Sequence, residues 1–211
     1  FFASNLTKFM AGGWLPMLLG GALFTMLTTW KQGTALITRE RRRINIPMAD
    51  FIGGPPLDVP RVPGTAIYLT SDTETVPSAL FHNLKHFKVL LERVFFLHVM
   101  SEDVPRVPDI DRIEVHKLGG EHYTVEARYG FREEPDIPQA LAALADLGLE
   151  LEPMSTTYFV ARATVVEGQG DDLQSWRRAL FGWMMRQSEG PANYFHLPPN
   201  QVVELGTQIS L

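Results

Sequence analysis

With 211 residues, 45% of them hydrophobic and 20% charged, the chain can bury one sizeable core, and its mean hydropathy of −0.03 averages two different materials. A formal charge of −5 argues against nucleic acid as a partner, because neutralising phosphates needs clustered lysine and arginine. The lack of cysteine excludes a disulfide framework, cysteine-ligated zinc and a thiol nucleophile.

The chain opens on Phe1, and the run FFASNLTKF has no signal-peptide cleavage pattern, so the expectation is a piece of a longer protein. Phe1 to Leu6 reads as the end of a membrane helix and Lys8 to Gly13 as a tight outer turn, which Gly12-Gly13 suits. From Phe9 to Trp30 come 22 residues without an ionisable side chain. Residues 14–30 match the ~17–25 apolar residues that cross a bilayer core. Trp14 and Trp30 stand where interfacial aromatics belong, and Pro16 falls in the first turn. Gly21, Thr25 and Thr29 make a small-residue stripe suited to contact with another membrane helix. These flanks favour a spanning helix over a buried core helix. Lys31, Arg39, Arg41, Arg42 and Arg43 follow, opposed by Glu40, whereas only Lys8 precedes; this bias places the rest of the chain in the cytosol. The same cluster suits anionic headgroups, although orientation alone accounts for it.

Gln32 to Ile44 is predicted as a helical connector and the proline-rich stretch from Ile46 to Pro63 as an extended linker, its proline density excluding regular helix. A domain then begins near Gly64. Its predicted elements are a strand over Thr65–Thr70, a helix from Pro77 to Phe87 with Leu80, Leu84 and Phe87 on one face, and a buried strand over Arg93–Met100. Arg112–Lys117 and Tyr123–Tyr129 alternate about Gly119-Gly120 as a hairpin. A helix over Ile137–Leu147 capped by Gly148, a strand over Thr157–Val165, an amphipathic helix over Leu173–Arg186 and a last strand over Val202–Leu205 follow. The fold class is α+β with a mixed sheet.

No Walker loop, G-x-G-x-x-G, G-x-S-x-G or H-E-x-x-H is present, and neither an enzyme nor a cofactor is expected. His82 and His86 have metal-ligand spacing, but His98, His116 and His122 offer no matching third ligand, so a polar helix face is the better reading. Glu133 and Glu134 are neighbours on a loop and do not face a common substrate. His82, Asn83, Lys85 and His86, with Arg93, form a basic patch on an acidic domain, a candidate for docking a headgroup, a nucleotide phosphate or another domain. Trp176 and Trp183, seven apart, read as helix packing rather than a binding cage.

Several runs together resemble the C-terminal part of the Kup (potassium uptake permease) family of potassium transporters: FFASNLTKFMAGGWLP, TMLTTWKQG, RVPGTAIYLT, PSALFHNLKHFKVLLERVFFLHVMSEDVPRVP, ARYGFREEPDIPQAL and PPNQVVELGTQISL. The resemblance implies a transporter of about twelve membrane helices, related in fold to the amino acid–polyamine–organocation transporters, that takes up potassium with protons. Residues 1–8 would end its penultimate membrane helix and 14–30 form the last; 31–63 would be connector and linker, and 64–211 a cytosolic domain. The implied partners are potassium, the proton, the lipid bilayer and the remaining membrane domain, with a homodimer left open. The implied location is the inner membrane, and the cation path lies in earlier helices. The tail either supports transport or acts as a regulatory ligand- or nucleotide-binding module. Where the family often reads HNLKHNKVLHERV, this chain has Phe87 and Leu91, which favours packing over a polar ligand site.

Overall fold

The computed structural model describes residues 13–44, 46–54, 58–166 and 173–210. The expected membrane-helix end at residues 1–8 and most of the turn after it lie outside them, as do residues 167–172. The chain divides into two compact units.

The first unit contains α1 (Trp14–Ile44), up to Arg41, and α5 (Ser175–Gln187). The apolar stretch and the polar connector are one continuous helix. By mean hydropathy, no helix among the described residues is long and apolar enough to cross a membrane. Along α1, Thr29, Gly33 and Ile37 form a buried line at helical spacing, so the small-residue stripe continues past Trp30. Here α5 seats Phe181, which is fully buried with its ring 5.7 Å from that of Trp30. A Cβ on Gly33 would overlap the Phe181 ring. Arg177 Nη1 also donates to Gln32 Oε1 at 2.6 Å. The expected packing of Trp176 and Trp183 is corrected: they are 51% and 49% exposed. At about 100° per residue they lie on the side of α5 opposite Phe181.

The second unit is built on a six-stranded sheet: β1 (Arg61–Thr70), β2 (Leu90–Glu102), β3 (Ile113–Gly119), β4 (His122–Gly130), β5 (Thr156–Val166) and β6 (Val202–Ser210). The order is β3-β4-β2-β1-β5-β6. β4, β2, β1 and β5 run parallel and β3 returns antiparallel on β4, so the sheet is mixed as expected. Thr65–Tyr68 and Val94–Leu97 are buried at every residue, as strands covered on both faces must be. On one face Ala66, Tyr68, Val94, Phe96 and Phe159 meet α2 (Met48–Gly53) and α3 (Ser78–Phe87). On the other, Ile67, Phe95, Leu97 and Val125 meet α4 (Ile137–Leu141) and the 3-10 turns that continue it to Leu147.

The hairpin forms at the predicted glycines, Gly120 taking φ 55°. Three expectations are corrected. The stretch read as linker contains α2, because Pro47 sits at its N-cap, where a missing N–H costs nothing, and Met48 is buried in the core. β1 starts at Arg61 and tolerates Pro63 because the register shifts between Val62 and Thr65, with Gly64 at φ 128°. The predicted helix to Leu147 is α-helical only to Leu141, then tightens to 3-10 before Gly148 caps it at φ 74°.

Candidate functional site

The basic patch named from the sequence does not converge. On α3 the His82 and His86 rings lie parallel, 6.4 Å apart, and Lys85 and His86 are exposed. Among the described residues no group of three histidines or carboxylates is placed to hold a metal. Asn83 points inward: it is buried, and its Nδ2 donates to Tyr68 Oη at 2.7 Å. Burial pushes the Tyr68 hydroxyl up to about 12, against the smaller opposing effect of that bond. Arg93 lies on β2 in step with Phe95 and Leu97, on the sheet face away from α3, and its Nη1 donates to the Glu150 carbonyl at 2.9 Å. Phe87, expected to pack, is 61% exposed because α3 ends there, with Lys88 turned into the left-handed region at φ 55°. Leu91 does pack against the core.

The Asn83–Tyr68 bond therefore ties α3 to β1. Tyr68→Phe is expected to leave the Asn83 amide unsatisfied and to lower stability by about 1–3 kcal/mol, read from the denaturant midpoint. An unchanged midpoint would mean that the amide finds another partner.

Two polar clusters were not legible as such. At the C-terminal end of β4, Glu133 accepts hydrogen bonds from Arg112 Nη2 at 2.8 Å, Gly130 N at 2.7 Å and Val107 N at 3.0 Å. These donors, Arg112 foremost, hold its carboxyl down at about 2. Arg112 also donates to the Val107 carbonyl at 2.8 Å and lies 4.9 Å over the Tyr129 ring. The cluster closes the loop after β2 onto the end of β4, where a Cβ on Gly130 would strike the Pro105 and Arg106 backbone. Glu133 is thus occupied as an acceptor, while its neighbour Glu134 is exposed.

At the opposite end of the parallel strands, His122 Nδ1 is 3.0 Å from the Gly119 carbonyl and its Nε2 is 3.4 Å from the Arg61 guanidinium. A proton on Nδ1 satisfies both contacts, with Nε2 accepting from Arg61. Burial lowers the His122 pKa; the Gly119 carbonyl opposes that, and the Arg61 charge adds to it. A recess here is lined by Arg61, Glu92, Arg93, Gly120, Glu121 and His122. Arg61 was hidden within the supposed linker.

These contacts fasten elements together; no nucleophile–base pair is assembled among them. The class of protein emerges from comparison. Residues 63–211 match the family described as K+ potassium transporter C-terminal domain, and residues 1–35 match the K+ potassium transporter integral membrane domain. Relatives named "Probable potassium transport system protein Kup" are 47% identical in Aromatoleum aromaticum, 44% in a Janthinobacterium species and 43% in Myxococcus xanthus. Each alignment covers 100% of this chain and 32–34% of the relative. The chain thus spans about one third of the length of the curated relatives it matches. No solved structure matches it. The chain belongs to the Kup family of potassium transporters, matching its C-terminal part.

Proposed function

We propose that this chain is the C-terminal part of a transporter that takes up potassium together with protons. In this reading residues 14–30 are its last membrane helix, 31–63 a juxtamembrane connector, and 64–211 a cytoplasmic domain that supports or regulates transport. The observation that carries the reading is the first half of α1. Met17, Leu19, Leu23, Phe24 and Leu27 are each 54–68% exposed, in the stretch that matches an integral membrane domain. So large a set of bare apolar side chains is unfavourable in water and favourable in lipid.

Glycine, threonine, proline and tryptophan lower the mean hydropathy of this stretch. The Thr25 and Thr28 hydroxyls donate to the Gly21 and Phe24 carbonyls at 2.8 and 2.7 Å, so their polarity is met inside the helix and suits a bilayer. The basic residues that follow support a cytoplasmic C-terminal side. Potassium, the proton and the membrane domain of the longer protein are the partners this reading requires, and the names of the relatives support the ion.

Rubidium uptake by the full-length protein, in cells lacking their own potassium uptake, tests the reading. Uptake that disappears on deletion of 64–211 at normal membrane levels makes the domain integral to transport. Full uptake after the deletion leaves it a regulatory or stabilising role. No uptake by the intact protein overturns the proposal.

A further inference from the structure

We infer that α5 is an interfacial helix, which lies in the headgroup layer of the cytoplasmic leaflet with Trp176 and Trp183 toward the lipid. This rests on the reading of α1 as the last membrane helix and adds where the membrane surface meets the rest of the chain. The position of α5 is fixed by its partner. Phe181 is fully buried, its ring 5.7 Å from that of Trp30 and tilted 58° to it, and Arg177 donates to Gln32 at 2.6 Å. Its seat therefore begins at Trp30, where the 22 uncharged residues end. A helix seated there stands at the depth of the lipid headgroups.

Its free face has the matching chemistry. Trp176 and Trp183 are half-exposed, about 20° apart around the helix at ~100° per residue, on the side away from Phe181. Tryptophan is the residue of the membrane–water boundary, apolar in body with one N–H to satisfy. Trp176 Nε1 donates to Gln174 Oε1 at 2.9 Å and the Arg177 guanidinium lies 5.3 Å over one face of its ring, while 51% of the residue stays exposed for the lipid. Helix α5 carries Arg177, Arg178 and Arg186 and no acidic residue, and Lys31, Arg39 and Arg41 follow Trp30 on α1, opposed by Glu40. In a chain of net charge −5 this concentration of cations complements an anionic leaflet. A surface made to meet other membrane helices would favour small residues over two indoles.

The test uses the full-length protein without native cysteines, reconstituted in phosphatidylcholine vesicles containing phosphatidylglycerol. One nitroxide is placed at Trp176→Cys, Trp183→Cys or, as a milder substitution on the same face, Ala179→Cys. The spectrum is read for collision with oxygen, which enters lipid, against a nickel chelate, which stays in water. Leu19→Cys and Leu23→Cys report α1, and Lys85→Cys, at an exposed position of α3, reports water. The expected result is an oxygen-to-nickel ratio on α5 shifted above that at position 85 and below that at positions 19 and 23. A ratio equal to that at position 85 overturns the inference, and so does low collision with both reagents, which would mean that protein covers the face. If positions 19 and 23 themselves favour nickel, the spanning reading fails and this inference with it.

Discussion

Phe181→Ala is expected to release α5 from α1 while leaving the sheet intact. A fully buried phenylalanine contributes about 3–5 kcal/mol when its cavity cannot collapse. Phe181 is such a residue: its ring fills the site over Gly33 and beside Trp30. At about 1.4 kcal/mol per decade, amide hydrogen exchange across residues 175–187 should accelerate by roughly two to three orders of magnitude. The amides of β1 and β2, which belong to the other compact unit, should keep their rates. Gly33→Ala should produce the same pattern from the other side of the contact, because its new methyl would occupy the space of the ring. Unchanged exchange in both variants would show that α5 is held by something other than this contact.

Glu133→Gln should lower stability at neutral pH by about 2 kcal/mol and remove an acid sensitivity from the wild type. The Glu133 carboxyl is held at about 2 against an ordinary value of 4.5, by Arg112 first and then by the Gly130 and Val107 amides. A depressed folded value means that the stabilisation is fully present above the unfolded value and is lost as pH falls through the folded one. The window is therefore about pH 5 down to pH 2. At ~1.36 kcal/mol per pKa unit the shift is worth about 3 kcal/mol at most. Since the side chain keeps 16% of its surface in solvent, about 2 kcal/mol is the better expectation. Denaturant midpoints of the two proteins should differ at pH 7 and converge toward pH 2 to 3. A constant difference across that range would mean that the acid sensitivity resides elsewhere.

Where local chemistry is decisive, the elements could be read directly. Gly119-Gly120 between two alternating runs sets the hairpin because few residues other than glycine take those backbone angles. The apolar run at Val94–Leu97 read as a buried strand and is one; Thr65–Tyr68, read only as a strand, proves to be covered on both faces as well. Proline misled where its context is special: Pro47 stands just ahead of α2 and Pro63 in an irregular step of β1, both positions at which a missing donor is harmless. Trp176 and Trp183 misled because periodicity says which residues share a face, not which face is buried. The patch on α3 failed for a related reason. His82, Asn83, Lys85 and His86 are adjacent in sequence, but Asn83 turns inward to Tyr68 and Arg93 emerges beyond the sheet.

The sequence by itself determined the apolar half of α1, the basic cluster after it, the mixed α+β class and the family, since each is carried by composition, spacing or contiguous runs. Only the tertiary structure decided that α5 belongs with α1 across more than 130 residues of intervening chain, that Glu133 is clasped by Arg112, and that Asn83 is a core residue. Such contacts depend on which faces meet when both sides of a sheet are covered. Burial is a property of the assembled layers, and no local pattern carries it in advance.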